Sequence, residues 1–229
     1  MSFNLHYFLF QIFPYISLMV CIVGCVLRFD RDPYSLRSKS SQLLRRRSLV
    51  VGSTLFHIGV LIILVGHAVG LLTPIVIFDA IGISHGAKQM LAIVAGGIAG
   101  VLALIGLLIL LHRRLADDRI RVNSSFSDVL ILVLLLAQLV LGLATIPLSL
   151  GHLDGHEMVK FMNWVQHIVT FRGGASEFIA DVHIIFKLHL FLGMSIFLIF
   201  PFTRLVHILS APVNYIFRKQ YQIVRRRES

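Results

Sequence analysis

Residues 50–74, VVGSTLFHIGVLIILVGHAVGLLTP, form an apolar run without a single Asp, Glu, Lys or Arg. About 20 such residues cross the hydrocarbon core of a bilayer as a helix, and this limits the fold more than any other feature. The run carries two histidines, His57 and His67. An ionisable side chain inside a span is costly, so it marks a functional site whose partner lies elsewhere in the chain. Their ten-residue separation, at a rise of 1.5 Å per residue, sets the two imidazoles about 15 Å apart in depth, one in each leaflet.

Further apolar runs of spanning length lie at 3–27, 88–111, 127–147 and 183–208, alongside 50–72. The sequence therefore predicts an all-α integral membrane protein with five transmembrane helices. Of 229 residues, 57% are hydrophobic and only 14% charged, which excludes an ordinary soluble domain. The first run has neither a basic leader nor a small-residue cleavage site, and reads as a retained span. No repeat is visible, and one membrane domain, 1–229, accounts for the chain. Cys21 and Cys25, the only cysteines, lie four apart in the first run and read as small buried hydrophobes. There is no CxxCH for covalent haem and no cysteine cluster for an iron–sulfur centre.

The net charge of +10 reflects basic residues placed between apolar runs, a pattern of topology rather than of nucleic-acid binding. Segment 28–49 holds seven (Arg28, Arg31, Arg37, Lys39, Arg45, Arg46, Arg47), and 112–126 holds four (Arg113, Arg114, Arg119, Arg121). From Arg204 onward there are six, and if five helices alternate all three regions fall on one side. The other side has only Lys88, Lys160, Arg172 and Lys187. The positive-inside rule then puts the N-terminus outside and the tail, about 209–229, in the cytoplasm. On the outer side, Met158, Phe161, Met162, Val165, Ile168 and Val169 recur at helical spacing beside Lys160, Asn163 and Gln166. An amphipathic helix within about 154–172 is expected to lie over the mouth of the bundle, ended by Gly173-Gly174.

Histidines pair by depth in this topology. The second helix rises outward and the fifth descends, so His67 faces His189 on the outer side and His57 faces His207 on the inner side. Two neutral imidazoles on facing helices are what a six-coordinate b-type haem requires, and a helix bundle supplies the slot. Two such sites would form an electron path across the membrane. Gly52, Gly59 and Gly66 recur on one face of the second helix, opening a groove or packing a neighbouring helix. The 18 residues from His189 to His207 span about 27 Å as an ideal helix, more than the other pair, and tilt with a bend at Pro201 would absorb part of the difference.

His6, His85, His112, His152, His156, His167 and His183 sit near helix ends or in loops, where imidazole costs little. A proton-coupled transporter would use acidic partners within its spans, whereas Asp79, Asp128, Glu177 and Asp181 fall at or beyond helix ends. Lys88, at the outer mouth of the third helix, is either a snorkelling anchor or a cation for a quinone oxygen. Arg204 shares a helix face with His207 and is either a positive-inside anchor or the partner of a haem propionate. Arg113 and Arg114 are further candidates for that role.

The segments STLFHIGVL, VGHAVGLLTP, LGLATIPLS, HLDGHEM, FRGGAS and FKLHLFLGMSIFLIFPFTRLVHILSAPVNY closely resemble the membrane cytochrome b (gamma) subunit of respiratory nitrate reductase. The resemblance covers nearly the whole chain, in register, and is weakest at 75–87. It implies five spans and two b-type haems held by His57, His67, His189 and His207, paired as above. It also implies oxidation of quinol near the outer haem, with Lys88 in the quinol site. Electrons would pass to a cytoplasmic iron–sulfur (beta) subunit and then to a molybdenum-containing (alpha) subunit that reduces nitrate. A sulfite- or heterodisulfide-linked relative, a haem-free transporter and a purely structural anchor are the alternatives. The last leaves four depth-matched histidines unexplained.

Overall fold

In a computed structural model, which describes residues 4–36 and 44–210, each of the five apolar runs holds a helix long and apolar enough to cross a membrane. The spans are α1 (Leu5–Arg31), α2 (Arg46–Leu72), α3 (His85–Ala116) and α4 (Phe126–Leu150), then, after a surface helix α5 (His156–Val169), α6 (Ile184–Ile199). Residues 37–43 and the tail from 211 onward, with Arg37, Lys39 and the basic cluster at 218–227, lie outside the described residues.

Polar residues at the ends set the helix limits. Ser84 caps α3 by accepting from the Ala87 N–H at 3.2 Å. Ser125 and Asp128 form a reciprocal capping box at the start of α4, with bonds of 3.3 and 3.1 Å. Helix α2 stops at Thr73, because the following Pro74 disfavours a helical conformation for the residue before it.

Helix α2 packs on α3, α3 on α4, α4 on α6 and α6 on α1. The α2–α3 seam explains two of the three spaced glycines. A Cβ on Gly59 would come within 2.6 Å of the Ala103 nitrogen, and one on Gly52 within 3.1 Å of the Gly106 carbonyl. Gly52 and Gly59 thus bring two backbones together, as small residues do in membranes, while Gly66 faces open space. The Gly59→Ala variant is expected to lose about 1–3 kcal/mol by overpacking. Gly96→Ala, whose methyl meets nothing within 4 Å, should be neutral or slightly stabilising; thermal melts in detergent distinguish the two.

The fifth span departs from a single helix over 183–208. Helix α6 ends at Ile199, Phe200–Phe202 form a 3-10 turn, and Thr203 is extended at φ −113°, ψ 177°. A second 3-10 segment, Arg204–Ser210, then carries His207. Pro201 has no N–H to continue the ladder, and the chain leaves the helix between His189 and His207.

At the end of the bundle remote from the basic loops, α5 lies as a lid. Trp164, Ile168, Ala175, Ile179 and Val182 form a buried cluster with Phe10 of α1. Trp164 Nε1 donates to the Phe10 carbonyl at 2.9 Å, within a π-helical turn, Phe8–Ile12. Gln166 Nε2 donates to the carbonyls of Leu71 and Thr73 at the end of α2, at 3.3 and 3.0 Å. Lys160 bridges Glu157 at 2.8 Å and Asp181 at 2.9 Å. Hydrogen bonds to Glu157 and Asp181 hold the Lys160 ammonium above its ordinary pKa, and the bond from Lys160 holds the Asp181 carboxyl below its own. The contribution of the Asp181 half is present above the ordinary carboxylate pKa and is lost as pH falls through the lowered value. That of the Lys160 half is lost only as pH rises through a raised one, so the bridge is closed across neutral pH.

Candidate functional site: two facing histidine pairs

Helices α2 and α6 do not pack extensively on each other, yet their histidines meet at two levels. At the basic end the rings of His57 and His207 have centroids 6.0 Å apart and planes inclined by 72°. At the lid end His67 and His189 are 6.3 Å apart, inclined by 44°.

Three of the four rings have their tautomer set by backbone. His57 Nδ1–H donates to the Ser53 carbonyl at 2.7 Å, His67 to Ile63 at 2.9 Å, and His207 to Arg204 at 2.6 Å. A carbonyl only accepts, so each Nδ1 carries the proton and each neutral ring keeps its lone pair on Nε2. This is the arrangement that orients a ligating imidazole. His189 is held differently. Its Nε2 lies 3.4 Å from Gln138 Nε2 of α4, whose amide also donates to the His189 carbonyl at 3.1 Å. Its Nδ1 and the Gln138 Oε1 are buried without a hydrogen-bond partner among the described residues. The ring lies against Gly142, where a Cβ would stand 3.1 Å from His189 Cε1. Gly193, one turn after His189, leaves room for the Gln138 amide instead, 3.2 Å from where its Cβ would be.

Lys88 does not reach for solvent. It is only 7% exposed, with Nζ 3.9 Å from Met162 Sδ and 4.2 Å above the centre of the Phe78 ring. Met162 and Gln166 are one turn apart on α5, so the same lid face touches Lys88 on α3 and the end of α2 just beyond His67.

At the basic end Arg204 stands 3.7 Å and Arg114 3.4 Å from the two oxygens of Asp128. Asp128 thus carries two guanidiniums on one carboxylate, one of them from the residue three before His207. Arg113 donates to the Leu44 carbonyl at 2.5 Å. Cys21 and Cys25 are free thiols on α1, and His85 lies 3.8 Å from Asp79 in the connection before α3. Sequence reasoning missed Ser53, Gln138, Gly142 and Asp128. Among these Gln138 carried a signal, as an amide in the middle of an otherwise apolar helix.

Residues 6–227 match the family model described as nitrate reductase gamma subunit. The chain is 51% identical to the respiratory nitrate reductase 2 gamma chain of Escherichia coli strain K12, over 97% of this chain and 98% of that relative. It is 50% identical to the respiratory nitrate reductase 1 gamma chain of the same organism, with the same coverage. The nitrate reductase gamma chain of Bacillus subtilis strain 168 is 41% identical, over 96% of this chain and 97% of that one. A chain matched end to end in this way, with five apolar helices, belongs to the nitrate reductase gamma subunit family, the membrane component of the respiratory nitrate reductase oxidoreductase complex.

Proposed function

We propose that the chain is a diheme cytochrome b that oxidises membrane quinol on the outer side of the cell (inner) membrane, within one membrane domain. It serves an iron–sulfur subunit and a molybdenum-containing nitrate-reducing subunit on the cytoplasmic side. The observation that carries this reading is the pair of facing imidazoles at each of two depths, 6.0 and 6.3 Å between centroids. Metal–nitrogen bonds of about 2 Å on both sides of one iron put two axial imidazoles roughly 6 Å apart, centre to centre. Two imidazoles are too few for a bare ion, and they are the share of ligands that a porphyrin-held iron leaves to the protein.

His67 and His189 would hold the outer haem, and His57 and His207 the inner one. Bound there, the two haems supply one-electron redox chemistry and so connect a two-electron quinol to the partner subunit's iron–sulfur centres. The carbonyls of Ser53, Ile63 and Arg204 fix the tautomer of three ligand rings and aim them. Arg204, with Arg114, neutralises a propionate of the inner haem. Lys88 donates to a quinol oxygen beneath the lid. The basic loops, on the side where the positive-inside rule puts the cytoplasm, give the N-terminus an outside position. Protons from quinol are then released outside while nitrate is reduced inside, so turnover moves charge across the membrane.

Purification from membranes followed by a haem-to-protein ratio and a dithionite-reduced minus oxidised spectrum is expected to give two b-type haems per chain. With its partner subunits the protein should then reduce nitrate from quinol. A well-folded chain that carries no haem overturns the reading.

A further inference from the structure

The break that sets the level of His207 is held by another helix. Beyond Ile199 the carbonyls of Pro201 and Thr203 leave the helical pattern, although Pro201, Thr203 and Val206 are all buried. Buried carbonyls at a helix end need donors from outside it. They find them in Arg28 of α1, whose Nη1 donates to Pro201 O at 2.5 Å and to Thr203 O at 3.2 Å. The same guanidinium is aimed from behind by Ser35, with Nε donating to its Oγ at 2.8 Å and Nη2 to its carbonyl at 3.2 Å. Ser35 Oγ in turn donates to the Asp32 carbonyl at 2.8 Å. One turn before Arg28, Gly24 lies against Pro201, so close that a Cβ would stand 2.7 Å from the proline Cβ and Cγ. An arginine serving only as an interfacial anchor would turn its fork toward headgroups and water, whereas all three nitrogens of Arg28 donate to protein oxygens.

We infer that Arg28 is a positioning residue for the inner axial ligand, fixing the broken end of the fifth span and through it the imidazole of His207. The connection is short and continuous. Thr203, gripped through its carbonyl, accepts from the Leu205 N–H on its Oγ1 at 3.2 Å and so starts the turn. That turn brings the Arg204 carbonyl to the Nδ1–H of His207 at 2.6 Å. A planar fork satisfies two carbonyls and a serine at once, and a lysine, as a single point donor, does not reproduce it. This inference rests on the diheme reading above.

The test uses the full chain purified from membranes as wild type, Arg28→Ala, Arg28→Lys and His57→Ala. Haem content, the potential of each haem and its low-spin electron paramagnetic resonance signal are the readouts. Arg28→Ala is expected to weaken retention roughly 10-fold at the haem that His57→Ala removes, as loss of an outer-shell partner does. The other haem should be unchanged. Arg28→Lys should resemble the alanine variant, with a displaced signal and potential for the inner haem, and it decides the matter alone if the alanine variant does not accumulate. An Arg28→Lys protein indistinguishable from wild type overturns the inference, as do two unaltered haems in Arg28→Ala or equal loss of both. A wild type without haem defeats the diheme reading itself, whereas a two-haem wild type with insensitive Arg28 variants defeats only the role of Arg28.

Discussion

His57→Ala and His67→Ala are each expected to remove one haem and to lower quinol-dependent nitrate reduction by at least about 100-fold, the upper end of what disturbed metal ligation costs even at outer-shell positions. Their value lies in the contrast between them. Each variant keeps the other pair, 6.3 Å apart for His67/His189 or 6.0 Å for His57/His207. If the lid end takes electrons from quinol and the basic end delivers them, His57→Ala retains a haem that quinol reduces but nitrate fails to reoxidise. In His67→Ala the remaining haem should be reoxidised by nitrate after dithionite reduction, yet stay oxidised when quinol is added. Stopped-flow spectra of the assembled complex read both directions. Identical behaviour of the two variants would sink the ordered path, and the reverse pattern would put the quinol site at the basic end.

The helices were legible because a chain that crosses lipid has little freedom: each apolar run holds a helix long and apolar enough to span, although the fifth extends only from Ile184 to Phe202 rather than over 183–208. Alternating direction then matches histidines by depth, and His57 meets His207 while His67 meets His189. What stayed hidden depends on neighbours that no single stretch encodes. Pro201 signals a bend, but where the chain goes after it is decided by Arg28 and Gly24 on another helix. The spaced glycines of α2 signal a close approach without saying to what, and two of them serve α3. Gln138 and Gly142 shape the seat of His189 from α4, at a distance of about 50 residues in sequence, which only a packed bundle brings together. Lys88 at a helix mouth suits a snorkelling anchor, and its burial follows from the way Met162 of the lid covers it.

Lys88→Met offers the second large effect, because it separates binding of quinol from haem assembly. Methionine nearly matches lysine in length and suits a site lined by Met162 and Phe78. Replacing a buried cation by an apolar side chain of similar size is commonly neutral or stabilising, so the melting temperature should hold or rise and both haems should remain dithionite-reducible. A hydrogen bond from a charged donor contributes about 1.5–3 kcal/mol, so kcat/KM for quinol should fall by roughly 10- to 100-fold. Lys88→Arg should not restore it, since a longer guanidinium donates through a planar fork rather than from the single compact point of an ammonium. Steady-state quinol oxidation, with the rate of haem reduction at varied quinol, measures the effect. Unchanged kcat/KM beside a raised melting temperature would leave Lys88 no part in quinol binding and assign it to the packing of α3 beneath the lid. A loss of kcat/KM with stability intact is the outcome that only direct engagement of the substrate produces.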